Sequence, residues 1–250
     1  MILAAGRGNR LRPETDTLPK PLFKIGNTNM IRNALGYLLA SGITDIAVNL
    51  HHLGKLIEKE LSWNVRDRIN LHLVHEEIMM GTAGGIKGAE DFLSGSTFAV
   101  INSDILTDIN LEEAIAIHRS NNALATLVVR DNPQPSSIST LSAHTDGRLA
   151  RFIDTKAPCY NLENLDPVLK MFTGVAVYSP EIFKHIPGGR PCDISTEVFP
   201  KLIEADLPVY TYNHKGYWAD IGTHQSFTAA RMDVALGKFK TFPIQDTHKE

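Results

Sequence analysis

The run Met1-Ile2-Leu3-Ala4-Ala5-Gly6-Arg7-Gly8-Asn9-Arg10-Leu11-Arg12-Pro13, followed by Leu18-Pro19-Lys20-Pro21-Leu22, decides how the rest of the chain is read. Five apolar residues of strand length end in two glycines, and a basic cluster follows. Glycines let backbone N–H groups approach phosphate oxygens, while Arg10 and Lys20 add the mobile positive charge that a triphosphate requires. The run does not end in the Gly-Lys-Ser/Thr of a P-loop. Pro13 and Pro19 also prevent a long helix from starting directly after the glycines, as it would in a dinucleotide fold. A lone G-x-G after a strand fits an ordinary tight turn equally well, and the basic cluster fits a solvated loop. The whole run together is more specific.

Outward from this segment, apolar runs of strand length alternate with helical patterns. The expected strands are Met1–Ala5, Ile46–Asn49, Leu71–His75, Phe98–Ile101 and Ala123–Val129. Between them lie helices over Ile31–Ala40, Leu53–Leu61, Ala83–Phe92 and Leu111–His118. This alternation predicts an α/β protein with a Rossmann-like, mostly parallel mixed sheet and helices on both faces. The polar, proline-punctuated stretch at about 132–166 reads as a subdomain inserted over the sheet. Within it, His144-Thr145-Asp146-Gly147 forms a hairpin turn between Ile138–Leu141 and Leu149–Ile153. A strand (Met171–Tyr178), a helix entered at Ser195-Thr196-Glu197, a strand (Val209–Asn213) and a helix from about Thr223 to Leu236 complete a domain over 1–238. Residues 239–250 are expected as a tail that is either flexible or docked on a neighbour. There is no internal repeat and no C-terminal hexapeptide array.

Composition narrows the function classes. The 250 residues are 43% apolar and 21% charged, with 18 glycines and 13 prolines, which excludes collagen and low-complexity disorder. A net charge of −3 provides no basic field for nucleic acid or an anionic membrane. The apolar start is shorter than a signal-peptide core, and no stretch is long enough to span a bilayer, so a soluble cytoplasmic protein is expected. Cys159 and Cys192 have no metal or redox spacing and are expected as free thiols. The ten histidines form no H-x-x-x-H pair, which disfavours zinc.

Two acids stand out. Asp104 follows the apolar strand Phe98–Ile101 at its carboxyl end, where ligands bind on doubly wound sheets. Asp220 follows Tyr217-Trp218 and precedes Gly222. Mg²⁺ is typically held by one or two carboxylates together with phosphates and waters. The competing reading makes each aspartate a helix N-cap.

The N-terminal run resembles the signature of the sugar-1-phosphate nucleotidyltransferases, roughly G-x-G-x-R-L-x-P with a downstream P-K-P, at Gly6, Gly8, Arg10, Leu11, Pro13, Pro19, Lys20 and Pro21. The likeness continues through Gly81-Thr82-Ala83-Gly84-Gly85, Asn102-Ser103-Asp104, Phe172-Thr173-Gly174-Val175, Ser195-Thr196-Glu197-Val198-Phe199-Pro200 and Trp218-Ala219-Asp220-Ile221-Gly222-Thr223. It is strongest to the short mannose-1-phosphate guanylyltransferase-like and N-acetylmuramate-1-phosphate uridylyltransferase-like members. The resemblance implies transfer of a nucleoside monophosphate from an NTP, GTP or UTP in those members, to a sugar 1-phosphate, with Mg²⁺ on Asp104 and Asp220.

It also implies nucleotide contacts from Leu3, Ala4, Ala5, Gly6, Gly8, Gly81 and Thr82, with Arg10, Lys20 and Asp104 catalytic. Sugar contacts are implied at Asn102, Thr173, Gly174 and Glu197. The residues themselves leave Gly81–Gly85 open as a plain β–α turn, and Glu197 open as the acid of a helical first turn. Relatives carry F-x-E-K-P where this chain has Phe152-Ile153-Asp154-Thr155-Lys156-Ala157-Pro158, so the lysine is displaced by one residue. Competing functions are a cytidylyltransferase acting on a phosphoalcohol such as phosphocholine, and an inactive nucleotide-sugar-binding regulatory subunit. Both a monomer and a homodimer are compatible with the sequence.

Overall fold

The computed structural model describes residues 1–62, 69–132, 140–158 and 160–244, except for the side chain of Leu162. In chain order the elements are β1 (Ile2–Leu3), β2 (Lys24–Ile25), β3 (Thr28–Asn29), α1 (Met30–Ala40), β4 (Asp45–Leu50), α2 (Gly54–Leu61) and β5 (Asn70–His75). Then come α3 (Gly81–Gly88), α4 (Glu90–Leu93), β6 (Phe98–Asn102), β7 (Ile105–Thr107), α5 (Leu111–Ser120), β8 (Ala125–Asp131), β9 (Thr140–Ala143), β10 (Leu149–Phe152) and β11 (Thr155–Lys156). The last are β12 (Lys170–Tyr178), α6 (Phe199–Glu204), β13 (Val209–Asn213), β14 (Trp218–Asp220) and α7 (His224–Ala235). The chain forms two compact units, one from residues 1–79, 101–109 and 216 onward, the other from 80–100 and 110–215.

In the first unit β6, β1, β4 and β5 run parallel in that order, with Ile2 paired to both Ile101 and Val48 and Asp45 paired to Asn70. Parallel neighbours need crossovers, and α1 and α2 supply them. Asn29 caps α1 by accepting from the Arg32 amide, and Thr223 and Ser226 form a reciprocal capping box at the start of α7. A separate antiparallel ribbon pairs β7 with β14, Ile105 opposite Asp220. Leu11, Phe23, Ile25, Met30, Leu106, Ile221, Ala230 and Phe239 make one buried cluster, fastening the loop after β1 to α7.

The segment beyond α7 docks on its own chain through residue 244. The Phe242 amide donates to Asn33 Oδ1 at 2.9 Å, its ring meets Tyr37 edge-on, and its carbonyl lies where a Cβ on Gly36 would stand, 1.9 Å away. Only glycine at 36 allows that approach.

In the second unit β13 pairs parallel with β8, while β8, β12, β9, β10 and β11 run antiparallel in succession. Two expectations change here. The hairpin turn at His144–Gly147 is present, with the Gly147 amide donating to the His144 carbonyl at 2.9 Å. Its strands, however, extend the sheet edge beside β12 through Lys170↔Leu141 and do not lie over a face. Ile138 of the expected first strand lies outside the described residues. The single helix expected over Ala83–Phe92 is two, because Ala89 ends α3 and starts α4.

His118 shows how this unit satisfies a buried titratable group. Ser179 gives its own hydroxyl proton to the Ala123 carbonyl (2.7 Å), so it accepts from His118 Nε2–H at 2.9 Å. His118 Nδ1 is then the acceptor of the Thr126 hydroxyl at 3.0 Å. Burial, with Arg119 adding to it, lowers its pKa from 6.5 to about 4. The unfolded chain therefore takes up a proton between pH 6.5 and about 4 that the folded chain refuses, so folding stability is lost as pH falls through that window. His118→Gln is expected to flatten the acid limb of stability against pH by about 3 kcal/mol relative to the native protein. Denaturant melts at a series of pH values check this, and parallel curves for the two proteins would contradict it.

Candidate active site

In the first unit β1 delivers the chain to the glycine loop at the carboxyl end of the parallel strands. Ser103 N–H donates to the Leu3 carbonyl on one side (2.9 Å), and Ala4 N–H donates to Asn49 Oδ1 on the other (2.8 Å). Ala5 is buried, whereas Gly6 faces open space, with no heavy atom within 4 Å of where a Cβ would stand. Gly8 takes the left-handed conformation (φ 65°), and a Cβ there would lie 2.9 Å from Thr15 Cγ2. The Thr15 hydroxyl donates to the Gly8 carbonyl and His52 Nε2 meets the Thr15 carbonyl at 2.7 Å, which ties the loop down. The backbone is thus held close and open at Gly6, the feature a phosphate needs.

The charged groups converge on the next strands. Lys20, on a short 3₁₀ turn over Lys20–Leu22, forms an ion pair with Asp104 Oδ2, and both side chains are largely shielded from water. Asp104 sits in the tight connection from β6 to β7 and Asp220 ends β14. The ribbon brings them together, as shown by the Ile221 amide donating to the Asp104 carbonyl at 2.9 Å. Neither aspartate caps a helix: Asn110 and Thr223 do that work for α5 and α7. Asn102 ends β6, opposite Leu3.

Burial and the Asp104 carboxylate push Asp220 above the usual carboxylate range, while Lys20 and Arg10 pull it back. Asp104 Oδ1 and Asp220 Oδ1 are both buried without a hydrogen-bond partner among the described residues. Two such oxygens on neighbouring carboxylates, with no third acid, histidine or cysteine among the described residues to complete a cage, fit a divalent ion that keeps most of its shell for waters and phosphates. Arg10 lies across Gly222, where a Cβ would stand 2.7 Å from Arg10 Nη2. In the sequence Gly222 is one residue of the Trp218–Thr223 likeness, with no role of its own. Its lack of a side chain gives Arg10 its place.

The second unit treats its candidates differently. Gly81 has φ 72° and a Cβ there would meet the Cys192 carbonyl at 2.6 Å. That carbonyl accepts from the Ala83 and Gly84 amides, so protein satisfies two of the amides at the start of α3. Thr82 donates its hydroxyl to Asp193 Oδ2 (2.9 Å) and accepts from the Ile194 amide (2.8 Å). Gly81 is explained by this backbone contact, whereas a Cβ on Gly84 would meet Met80 Cβ at 2.9 Å. Thr173 is buried, its hydroxyl given to the Val128 carbonyl at 2.8 Å, while Gly174 (φ 79°) lies within an irregular stretch of the β12–β8 pairing.

Glu197 accepts from the Asp193 amide (3.1 Å) and from Arg190 (2.7 Å), the helix-start arrangement weighed above. Asp193 in turn caps the single π-helical turn over Ile194–Val198. Lys156 lies over the Tyr160 ring. Cys192 is a buried free thiol, and burial pushes it up in pKa. Cys159 lies outside the described residues.

Because only the flexible end of Arg10 stands against Gly222, Gly222→Ala is expected to displace that guanidinium without unfolding the protein. Pyrophosphate affinity should drop about tenfold, as for Arg10→Ala, the worth of one charge-assisted hydrogen bond. Titration calorimetry on folded variants checks it, and native affinity in Gly222→Ala would remove Arg10 from the phosphate site.

The likeness read in the sequence has a counterpart among known proteins. The family described as Nucleotidyl transferase matches residues 1–236. The chain is 31% identical to a UTP–glucose-1-phosphate uridylyltransferase of Synechocystis over 98% of its length and 65% of that protein's. It is also 31% identical to a mannose-1-phosphate guanyltransferase of Neurospora crassa, over 91% of this chain and 61% of that one. It therefore spans less than two thirds of the length of these curated relatives. Among solved structures, a putative glucose-1-phosphate thymidylyltransferase from Bacillus anthracis, in complex with a sucrose, superposes with a TM-score of 0.78 at 21% identity, over 97% of this chain and 96% of that one. HddC from Yersinia pseudotuberculosis follows with a TM-score of 0.74 at 20% identity, over 93% of this chain and 97% of that one, which supports the α/β fold. With the glycine loop, the basic pair and the two aspartates all inside the matched residues, the chain belongs to the nucleotidyl transferase family.

Proposed function

We propose that the protein transfers a nucleoside monophosphate from an NTP to a sugar 1-phosphate, giving an NDP-sugar and pyrophosphate. The observation that carries this reading is the Lys20–Asp104 ion pair beside Asp220 at the carboxyl end of β6, with Lys20 Cβ 3.4 Å from where a Cβ on Gly8 of the glycine loop would stand. A phosphate monoester has a second pKa near ~6 and is mostly dianionic at neutral pH, so the acceptor needs no general base. Its oxygen forms a new bond to the α-phosphorus, the α–β bridging bond breaks, and the electron pair leaves with pyrophosphate. The obstacle is repulsion between anions, which fixed cations and in-line placement overcome.

Lys20 and Arg10 are the cations of this chain that meet the growing charge. Mg²⁺, held by Asp104 and Asp220, would add charge neutralisation on the phosphates. The backbone from Leu3 to Gly8 would cradle the nucleotide, and the assignment of Gly81 and Thr82 to it rests on the resemblance. So does the assignment of Asn102, Thr173, Gly174 and Glu197 to the sugar. With Thr173 buried, the contribution at that position falls to the Gly174 backbone. A uridylyltransferase and a guanyltransferase among the relatives support UTP or GTP as donor; products of the GDP-mannose or UDP-N-acetylmuramate type rest on the sequence resemblance, and the reading carries a cytoplasmic setting. No described helix is long and apolar enough to cross a membrane.

A pyrophosphate-release assay over the four common NTPs, with mannose, glucose and N-acetylated sugar 1-phosphates and phosphocholine, tests the reading. Turnover with a sugar 1-phosphate and none with phosphocholine is the expected result, and the reverse would overturn it. Asp104→Asn and Asp220→Asn are each expected to cost at least about a hundredfold in rate. Lys20→Met should lower kcat more than it raises KM for the NTP, since a cation at the leaving group binds the transition state better than the substrate. A raised KM at native kcat would make Lys20 a substrate grip only.

A further inference from the structure

Asn49 is a polar residue in a strand that otherwise reads as core: Ile46, Ala47 and Val48 before it and Leu50 after it are essentially without solvent exposure, and Asn49 itself is 2% exposed. A buried amide costs free energy unless its groups are paired. Here both ends are used. Nδ2 donates to Glu76 Oε1 at 2.7 Å, and Oδ1 accepts from the Ala4 amide at 2.8 Å. A carboxylate can only accept and an amide N–H can only donate, so the two partners together define which way Asn49 points. Glu76 is anchored in turn, its amide donating to the Leu50 carbonyl at 2.8 Å and its carbonyl meeting His51 Nδ1 at 3.0 Å.

Ala4 is the first residue past β1, where the ladder stops and the path to Gly6 begins. On its other side β1 is tied by the Ser103 amide, one residue before Asp104. We propose that Asn49, oriented by Glu76, is a positioning residue for nucleotidyl transfer: it sets where the glycine loop leaves β1 relative to Asp104, without touching the reacting atoms. The proposal rests on the reading of function above. A small misplacement of a phosphate-binding loop carries a large rate cost, because in-line geometry tolerates little error.

The test reverses the polarity of the bond. Asn49→Asp keeps the shape and the acceptor for Ala4 but faces Glu76 with a second carboxylate. In Asn49→Asp combined with Glu76→Gln, the new amide donates to the new carboxylate, so the 49–76 hydrogen bond returns with donor and acceptor exchanged while the Ala4 amide still donates to residue 49. Asn49→Asp is expected to lower kcat about tenfold or more, with KM for the sugar 1-phosphate within about twofold of native, and the double variant to recover most of the loss. Glu76→Gln alone completes the cycle.

Hydrogen–deuterium exchange over residues 3–8, read on the same folded proteins without substrate, should accelerate in Asn49→Asp and return in the double variant. A double variant no more active than Asn49→Asp, or Asn49→Leu with native kcat, overturns the proposal. So does exchange that is restored while kcat never changed, which would make the pair structural only. If the native protein releases no pyrophosphate from any NTP, the functional reading fails. Exchange and calorimetric NTP binding then decide the loop-positioning claim separately: unchanged exchange in Asn49→Leu refutes it.

Discussion

The ion pair between Lys20 and Asp104 is the constraint around which the first unit is organised. Two aspartates shielded from water repel each other, and Asp220 responds by moving above the usual carboxylate range. One lysine, with Arg10 nearby, answers only part of that charge, and an oxygen on each aspartate is left without a partner among the described residues. Such an arrangement is costly for folding alone, since buried unpaired oxygens destabilise. On the proposed function, a cation and phosphates would offset that cost. Strain of this kind at a site, offset by a packed cluster from Leu11 to Phe239, is the common signature of groups held for chemistry.

The neighbouring architecture serves that pair by pinning backbone. The β7–β14 ribbon fixes Asp220 against Asp104, the Ser103 and Asn49 contacts hold both sides of β1, and Gly222 leaves room for the Arg10 guanidinium. These are short-range devices on rigid strands, the setting in which a site can be held to fractions of an ångström. The second unit shows the opposite use of polar groups. Thr82, Asp193, Glu197 and Arg190 are bonded to each other and to backbone, which stabilises the connection from residue 190 to α6.

Much of this was legible in the sequence. Apolar periodicity located most of the longer strands and helices to within a residue or two, as at Val209–Asn213, but not the short β2, β3, β7 and β11 or the break at Ala89, and the G-x-G run with its prolines located the loop. Asp104 and Asp220 stood out because each follows an apolar strand. What stayed hidden depends on partners distant in the chain. A glycine that admits a ligand and one that admits the Cys192 carbonyl look the same in one dimension, so the sequence left Gly81 open between the two. Strand alternation did not tell which way Thr173 points beside an irregular stretch of pairing, and the hydroxyl faces Val128. Asn49 did carry a signal, an amide inside Ile46–Leu50, but its meaning required Ala4 and Glu76.

The central claim is that the Asp104–Asp220 pair is completed by a divalent cation, and the melting temperature with and without Mg²⁺ across pH addresses it directly. Binding to the folded state alone at about ten times Kd adds roughly 1.4 kcal/mol. In a chain of this length that is a rise of a few degrees. The account predicts this rise at neutral pH in the native protein, its loss in acid as Asp220, held above the usual carboxylate range, takes up a proton, and its absence in Asp220→Asn. An equal rise in Asp220→Asn, or none in the native protein at Mg²⁺ concentrations that saturate its catalysis, would contradict the account.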